Sequence, residues 1–348
     1  MFCRRKYRRF YLLFCVSLIT LSIAHGLFEY YIDPMWCFRH ANRYNCVQQE
    51  IDDRQQKTNY LKFRGETYDT LIIGNSRVRM MNQGDFGPHA FNYALAGMIP
   101  SEYEPYIDFA KKVNNRDFKQ IVLGLSFAHA NSEVGLYSKQ PSYYFRNVEN
   151  PLYRFSLLFT GDLFLRSMAN IRHAKLKDLT VYFDRNNVQH IRKERVQFDK
   201  NLASDLANSH YIYHHSFHYM EQYRSILESI KKHNPSSKIT VFTTPVSQPL
   251  YCSMITEGRL NDYKRWLRDL VDVFGEIHHF ECLNTVTRDY RRYYIDGHHF
   301  YPETGTLIAH RLTGVDDPAI PADFDMVLTR SNIEEKLREI EAASKVCR

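Results

Sequence analysis

From residue 67 onward, short apolar runs alternate with amphipathic segments, and this alternation constrains the fold more than any other feature of the sequence. Strands are predicted at residues 69–73, 90–95, 120–127, 238–243 and 277–281. Helices are predicted at residues 101–113, 216–233, 258–274 and 304–312. Strands that alternate with helices are typical of parallel β-α units. We therefore expect residues 67–315 to form an α/β domain around a central parallel sheet.

Three further regions lie around or within this domain. Residues 29–66 are polar and spotted with aromatic side chains, and we interpret them as a connector with a short helix in 47–62. Residues 128–210 interrupt the strand–helix order and include a predicted helix at 156–170. We interpret them as an insertion or lid over the C-terminal edge of the sheet. Residues 316–348 are predicted to be an extension with an amphipathic surface helix at 331–345.

The first 28 residues predict a membrane anchor. Residues 10–28 carry no formal charge, and residues 1–9 before them are basic. About 20 apolar residues span a bilayer, and Lys and Arg mark the cytoplasmic flank. We expect a single-pass protein of the inner (plasma) membrane, with 1–9 cytoplasmic and the body on the extracytoplasmic, periplasmic side. The alternative is a signal peptide cleaved after Ser22-Ile23-Ala24.

The net charge of +7 does not indicate nucleic-acid binding. The basic flank supplies five of these charges, and elsewhere basic residues are interleaved with acidic ones. No basic stripe of the size of a nucleic-acid groove remains. The five basic residues of the flank are Arg4, Arg5, Lys6, Arg8 and Arg9.

The sequence has seven cysteines and no CxxC pair, so a structural zinc site is not expected. In an oxidising compartment, Cys37–Cys46 and Cys252–Cys282 are candidate disulfides, which would leave Cys347 unpaired. Buried free thiols are the alternative.

Two short motifs at opposite ends of the domain suggest a chemistry. Gly74-Asn75-Ser76 follows the first predicted strand, and Asp296-Gly297-His298-His299 comes shortly after the last one. Ligands of an open parallel sheet bind outside the carboxyl ends of its strands. A serine there could be activated by a histidine base that an aspartate orients. These motifs predict Ser76 as nucleophile, His299 as base and Asp296 as the residue that orients His299.

Each of these residues also has a structural interpretation. Ser76 could be only a helix N-cap, and Asp296 only a turn residue. His298 competes with His299 for the role of base, although the three-residue spacing favours His299. His278 and His279 fall in a predicted strand and are interpreted as structural. The cluster His214, His215 and His218 is interpreted as solvated or packing histidines, and no metal site is predicted.

The ordered motifs resemble the SGNH (GDSL-like) hydrolase superfamily. Its blocks are a Ser after the first strand, a Gly after the second, a Gly-x-Asn after the third, and Asp-x-x-His near the C-terminus. Ser76, Gly97, the Gly124-Leu125-Ser126 stretch and Asp296 to His299 occupy these places. The resemblance implies a three-layer α/β/α, flavodoxin-like fold. It is greatest to membrane-anchored, exported members of the alginate O-acetyltransferase and D-alanine transfer types, which share the Asp-x-x-His-Phe stretch found at residues 296–300.

The resemblance also implies a function. Such a protein would be a serine esterase or O-acyltransferase that acts on an envelope polysaccharide, without a cofactor. Its partners would be the membrane, an acylated carbohydrate or other ester, and in some systems a multispanning membrane acyltransferase. The sequence leaves hydrolysis and transfer equally open.

The oxyanion site departs from the family pattern. We expect the backbone N–H groups of Ser76 and Gly97 to bind the oxyanion, and the helix predicted to start at Ser76 to assist through its dipole. The third-block Asn is replaced by Ser126, so the Ser126 hydroxyl or the Asn75 amide would have to supply the side-chain donor. The alternative is a catalytically inactive glycan-binding or scaffold subunit of an envelope assembly complex.

Overall fold

The structure, a computed structural model, describes residues 2–347, and it describes side chains from residue 7 onward. The side chains of Arg4, Arg5 and Lys6, which belong to the predicted cytoplasmic flank, therefore lie outside the described residues. The strands are β1 Thr70–Gly74, β2 Ala90–Asn92, β3 Gln120–Leu125, β4 Val181–Phe183, β5 Gln189–Ile191, β6 Lys238–Thr243, β7 Glu276–His279 and β8 Met326–Thr329.

The helices are α1 Phe2–Ile32, α2 Asp53–Arg64, α3 Pro100–Asn114, α4 Pro141–Glu149, α5 Tyr153–Ser156, α6 Gly161–Leu176, α7 Phe198–His210, α8 Tyr223–His233, α9 Gln248–Thr256, α10 Leu260–Phe274, α11 Thr285–Arg288, α12 Tyr290–Tyr293, α13 Pro302–Thr313 and α14 Ile333–Ser344. All five predicted strands and seven of the predicted helices are present, with shifted ends, whereas the helix predicted to start at Ser76 is absent. The largest shift is at α8, predicted from residue 216, because a π-helix at Tyr211–His215 and a loop precede it.

The chain folds as an α/β protein whose central sheet has six strands in the order β2-β1-β3-β6-β7-β8. The first five are parallel, as predicted, and β8 joins the edge in antiparallel orientation. The strand order reverses direction at β1, since β2 lies on one side of it and β3 on the other. Ligands of such sheets bind at the carboxyl ends of strands beside this reversal.

Both faces of the central strands are buried. Every residue of β1 is buried, and five of the six residues of β3 are. Parallel strands covered on both faces have near-continuous apolar sequences, as these strands do. On one face Ile72, Val122 and Phe242 from three neighbouring strands pack in a single core with Ile308 of α13.

The chain divides into two compact units, and their boundaries differ from the predicted domains. One unit combines residues up to Gly65 with Tyr143–Asn186, and the other comprises Glu66–Ser142 and Asn187–Arg348. The predicted insertion at 128–210 is therefore not a unit of its own. Its middle part joins the predicted connector because Asn170 of α6 accepts a hydrogen bond from Gln49 N–H at 3.1 Å and donates one to the Tyr44 carbonyl at 2.8 Å.

One helix is long and apolar enough to cross a membrane. The span Tyr7–Ile32 lies within α1 and contains the predicted segment 10–28. Its side chains are exposed through residue 24, and from Gly26 onward several are buried in the first unit.

The disulfide prediction was wrong. The structure pairs Cys252 of α9 with Cys347, whose Cα atoms are 4.9 Å apart, and leaves Cys15, Cys37, Cys46 and Cys282 as free thiols. Cys282 is buried just after β7, where its thiol faces the His279 carbonyl at 3.8 Å. The end of the chain, rather than this strand, meets α9.

Candidate active site

Ser76 lies at the carboxyl edge of the sheet, two residues beyond the end of β1. The chain turns at residues 75–77 and continues into a short 3-10 turn, Val78–Met80. The turn passes so close to the sheet that a Cβ on Gly74 would lie 2.5 Å from Val78 Cγ2 and 2.7 Å from the Gly124 carbonyl oxygen. Because no α-helix follows Ser76, the predicted contribution of a helix dipole was wrong.

The loop that carries Asp296 and His299 folds back on itself. Tyr294 and Phe300 form an antiparallel bridge, and Ile295 N–H donates to the His299 carbonyl at 2.9 Å. Within this loop Asp296 Oδ1 accepts the backbone N–H groups of His298 at 2.7 Å and His299 at 2.6 Å. The carboxylate is thereby held in one orientation by its own loop.

The structure brings the three predicted catalytic residues together. His299 Nε2 lies 2.8 Å from Ser76 Oγ, across 223 residues of sequence. His299 Nδ1 lies 2.8 Å from Asp296 Oδ2. Because the carboxylate accepts the Nδ1 proton, the Nε2 atom is left to accept the proton of the serine hydroxyl. The predicted proximity is confirmed, whereas the catalytic roles stay predictions.

The Asp296 carboxyl is ionised more readily than usual. Burial alone would raise its pKa, but the charge of His299 and hydrogen bonds from its side chain and backbone lower the pKa below the ordinary value. An ionised Asp296 can stabilise the imidazolium that forms when His299 takes a proton.

The two backbone N–H groups predicted to bind an oxyanion lie in loops at one edge of the sheet. Leu95 N–H donates to the Gly74 carbonyl at 3.0 Å, so the loops after β2 and β1 leave the same edge of the sheet. Gly97 lies two residues beyond Leu95, with φ of +56°. Within residues 2–347 the N–H groups of Ser76 and Gly97 form no hydrogen bond.

Arg77 is a buried cation directly after Ser76, and the sequence analysis did not identify it. It is 4% exposed, and its Nη1 donates to Ser126 Oγ at 2.8 Å and to Thr244 Oγ1 at 3.1 Å. No carboxylate of the described chain forms an ion pair with it. A buried guanidinium favours a developing negative charge nearby. Its position directly after the nucleophile was the only sequence signal.

The two side chains predicted as oxyanion donors are both near Arg77. The Ser126 hydroxyl accepts from its guanidinium, as described above. Asn75 Oδ1 accepts Arg77 N–H at 3.0 Å, and Asn75 Nδ2 lies 3.5 Å from His129 Nδ1. Burial first, and then the charge of Arg77, lowers the pKa of His129 to about 3. His129 is therefore neutral near pH 7.

His298 is fixed in one tautomer. Its Nδ1 lies 2.9 Å from Arg77 Nη2, and a guanidinium can only donate, so Nδ1 accepts and the proton is on Nε2. Burial, followed by the charges of Arg77 and His299, holds its pKa well below the ordinary range. The Nε2–H forms no hydrogen bond with a described residue, and it is not enclosed. His298 is therefore a neutral donor in the site, while His299 occupies the position of the base.

Helix α7, which lies in the predicted insertion, supports the triad loop. Asp205 Oδ2 accepts Gly297 N–H at 2.8 Å, and the Ser247 hydroxyl donates to the Gly297 carbonyl at 3.0 Å. Burial and the nearby charge of Asp296 raise the pKa of Asp205. A Cβ on Gly297 would lie 3.1 Å from Asp205 Cβ, so a larger residue here would require Asp205 to shift by a few tenths of an ångström.

Two aromatic residues beside the triad loop, and the histidines interpreted as structural from the sequence, have structural surroundings. Tyr294 and Phe300 are fully buried, as packing residues are. His279 is also fully buried, and its ring nitrogens lie 2.9 Å from Thr243 Oγ1 and 3.1 Å from the Tyr263 hydroxyl. The exposed His214 pairs with Glu257 at 2.8 Å. Among the residues described, no group of three or more His, Cys, Asp or Glu side chains could hold a metal ion.

A cavity of about 600 Å³ lies away from these residues. It is lined by Lys231, Asn234 and Phe274, among others, near the start of β6. It contains no nucleophile beside a base, so the site is identified by its chemistry rather than by the volume of a cavity.

The chain matches no protein-family model, no curated protein and no solved structure.

Proposed function

We propose that this protein is an exported, membrane-anchored SGNH-like serine esterase or O-acyltransferase that acts on an acylated envelope polysaccharide. The observation that carries the proposal is the continuous chain of contacts from Ser76 through His299 to Asp296, each 2.8 Å long. The reversal of strand order beside Ser76 and the position of Gly97 support the resemblance. We also propose the three-layer α/β/α arrangement of this family for the domain.

The first half of the reaction forms an acyl-enzyme. Ser76 Oγ attacks the ester carbonyl while His299 Nε2 accepts its proton. The N–H groups of Ser76 and Gly97 and the Nε2–H of His298 stabilise the oxyanion. The tetrahedral intermediate then collapses, the bond to the alcohol breaks, and His299 returns the proton to the departing oxygen.

The second half uses the same residues in reverse. His299 removes a proton from water or from a sugar hydroxyl, and the resulting nucleophile attacks the acyl group on Ser76. The bond from the acyl carbon to Ser76 Oγ then breaks, and His299 returns the proton to Ser76 Oγ. Water gives a free acid and makes the protein an esterase, whereas a sugar hydroxyl gives a new ester and makes it a transferase. If the protein is a transferase, a multispanning membrane protein would be the partner that supplies the acyl group.

The location of the domain is part of the proposal. The basic residues before the uncharged run favour an N-terminus in the cytoplasm, and the remainder of the chain would then lie outside it. The disulfide Cys252–Cys347 supports this, because disulfides persist in oxidising compartments. N-terminal sequencing of the protein from membranes should show that α1 is retained. A mature chain beginning at His25 would contradict the anchor.

The decisive experiment is turnover of a chromogenic acetyl ester together with labelling by a serine-reactive phosphonate. We expect the label on Ser76, and we expect Ser76→Ala to lose both turnover and label. Ser236→Ala is the matched control, since this exposed serine pairs with Asp117 at 2.7 Å on the surface and should change neither. An unlabelled Ser76 with turnover unchanged in Ser76→Ala would disprove the proposal.

The binding-only alternative rests on one observation. The third block carries Ser126, whose hydroxyl accepts from Arg77, in place of an amide donor. In that case no ester would be turned over, and glycan binding would survive in Ser76→Ala. A scaffold subunit would instead co-purify from membranes with other components of an assembly complex.

A further inference from the structure

The uncharged part of α1 ends where this helix begins to pack against the rest of the first compact unit. Leu21 and Ile23 are more than half exposed, whereas Gly26 and Glu29 are buried. A Cβ on Gly26 would lie 3.1 Å from the ring of Phe159, in the turn before α6. Glu29, the first charged residue after the uncharged run, accepts a hydrogen bond from Ser167 of α6 at 2.7 Å. The turn and α6 therefore pack beside the end of the membrane-spanning segment.

Helix α6 has a largely polar buried face and an exposed apolar face. Its inner face presents Leu163, 5% exposed, beside Ser167 and Asn170, which are at most 3% exposed. At 100° per residue, Leu165, Met168 and Leu176 fall within one narrow arc on the opposite side. Their exposed fractions are 68%, 48% and 57%. An amphipathic helix on the surface of a water-soluble protein instead buries its apolar side chains and exposes its polar ones.

The exposed apolar side chains are concentrated in this region. Outside α1, seven of the fourteen exposed large hydrophobic residues of the described chain lie within residues 152–176, which we call the juxtamembrane patch. The seven are Leu152, Phe155, Phe159, Phe164, Leu165, Met168 and Leu176. Apolar surface gathered in this way marks a binding surface rather than ordinary scatter.

Two contacts join the patch to α1 itself. The ring of Phe164 lies 5.5 Å from the rings of both His25 and Phe28. The patch is therefore continuous with a surface that is already apolar and exposed, and it lies at the level where the uncharged run ends.

The charge of the region suits a lipid surface. Residues 152–178 contain five basic residues, Arg154, Arg166, Arg172, Lys175 and Lys177, against two acidic ones, Asp162 and Asp178. Arg172 lies in the apolar arc of α6, where its long side chain can reach the headgroups while its stem stays among apolar neighbours. Basic residues beside an apolar face are typical of helices that lie in the plane of a membrane.

We propose that the juxtamembrane patch rests on the lipid bilayer, with Leu165, Met168 and Leu176 inserted at the boundary of headgroups and acyl chains. The protein then has two membrane contacts, a spanning helix and an interfacial one. This inference depends on the proposed anchoring of α1 and is independent of any chemistry at Ser76.

The test places a fluorophore on the patch in the full-length chain. Cys3, Cys15 and Cys46 are replaced by Ala, and the buried Cys37 and Cys282 are kept. A single cysteine is then introduced by Leu165→Cys or Met168→Cys, labelled, and reconstituted into vesicles of phosphatidylcholine and phosphatidylglycerol. Quenching by a lipid with a nitroxide near its headgroup is compared with quenching by iodide in the water.

Two control positions calibrate the measurement. Leu18→Cys reports a site within α1, and Val327→Cys reports an exposed site on β8 in the other unit. We expect the lipid quencher to reduce the emission of labels at 165 and 168, and iodide to reduce it only slightly. Quenching at both positions by iodide alone, as at 327, would overturn the proposal. Protection from both quenchers would overturn it as well, because a protein would then cover the patch. Leu18 lies near the middle of the uncharged run, so its label is tested with a lipid that carries the nitroxide deep in its acyl chain. Failure of that lipid to quench the label at Leu18 would remove the anchor on which the proposal depends.

Discussion

Arg77 Nη2 lies 2.9 Å from His298 Nδ1, and this contact determines which nitrogen of His298 carries the proton. Arg77 directly follows the proposed nucleophile, Ser76, and His298 directly precedes the proposed base, His299. One hydrogen bond thus connects the two motifs independently of the contact between Ser76 and His299. It makes His298 a donor whose protonation does not depend on pH near neutrality.

His298→Ala should lower kcat for the acetyl ester by about 10²-fold, the usual cost of losing one oxyanion donor, with little change in KM. His298→Gln, which keeps an amide donor and an acceptor for Arg77, should recover part of this loss. His310→Ala is the control, because His310 pairs with Asp317 at 2.8 Å on α13. An unchanged kcat in His298→Ala would show that the oxyanion is bound without it.

Arg77→Met should reduce kcat through the same mechanism, since His298 would be free to adopt the other tautomer. If Arg77 acts through His298, the double variant Arg77→Met/His298→Ala should lose little more than the more impaired single variant. If the fold-reductions in kcat of the two single variants multiply in the double variant, Arg77 acts independently of His298. A melting curve of each variant is needed, because removing a guanidinium that bonds Ser126 and Thr244 also costs stability.

Gly97→Ala should impair catalysis more than folding. A side chain at φ of +56° is strained by ~1–2 kcal/mol, and its Cβ would lie 3.0 Å from Tyr137 Cβ. Relief of this contact would displace the N–H proposed for the oxyanion. Gly314→Ala is a matched control, since Gly314 also has a positive φ, +73°, but nothing lies within 4 Å of its added Cβ. Equal kcat in the two variants would argue against a role for the Gly97 N–H.

The proximity of the three proposed catalytic residues could be predicted from sequence because each residue belongs to a local pattern. Ser76 follows an apolar strand, and Asp296 and His299 share a loop whose spacing lets a carboxylate face an imidazole. Their meeting follows from topology, since parallel strands present their carboxyl ends at one edge. Arg77 and Asp205 could not be found in this way. Their importance arises from hydrogen bonds to Ser126, His298 and Gly297, which lie far away in sequence.

The errors have similar physical causes. The antiparallel strand β8 has no crossover pattern before it, and its four residues are too few to show a clear alternation. The helix expected after Ser76 is replaced by a 3-10 turn, in which Val78 packs over Gly74 of β1 and Gly124 of β3. Local helix propensity cannot show this contact, because Gly124 lies far away in sequence. Disulfide pairing depends in the same way on which surface the end of the chain reaches.

Disulfide mapping under non-reducing conditions should recover the Cys252–Cys347 peptide pair. An alkylating reagent should modify the buried thiol of Cys282 only after the protein is unfolded. The crosslink closes a separation of 95 residues, so its loss should cost about 4–5 kcal/mol in the chain-entropy account. Cys347→Ser should therefore lower Tm under oxidising conditions, whereas Cys46→Ser, at an exposed free thiol, should not. Recovery of a Cys252–Cys282 peptide would contradict the pairing.

Stability should also fall as pH rises through the titration of Glu281. This carboxyl is 3% exposed, and burial raises its pKa to about 7, against an opposing effect of Arg77. Below pH 4.5 the group is protonated in both the folded and the unfolded chain. As pH rises toward 7 the unfolded chain releases the proton first, so the free energy of unfolding decreases, by about 3 kcal/mol in total.

Glu281→Gln tests this titration, because the amide cannot ionise and still offers an acceptor to Phe127 N–H, which lies 3.3 Å from the carboxylate. We expect the variant and the wild type to have similar Tm below pH 4.5, and the variant to melt at higher temperature above pH 7. Glu276→Gln removes a charge from an exposed position on β7 and should show no such divergence. Parallel melting curves of Glu281→Gln and the wild type at every pH would mean that the buried carboxyl does not titrate in this range. The proximity of Arg77 would then be holding Glu281 ionised, and the two residues would form a compensated charge pair beneath the active site.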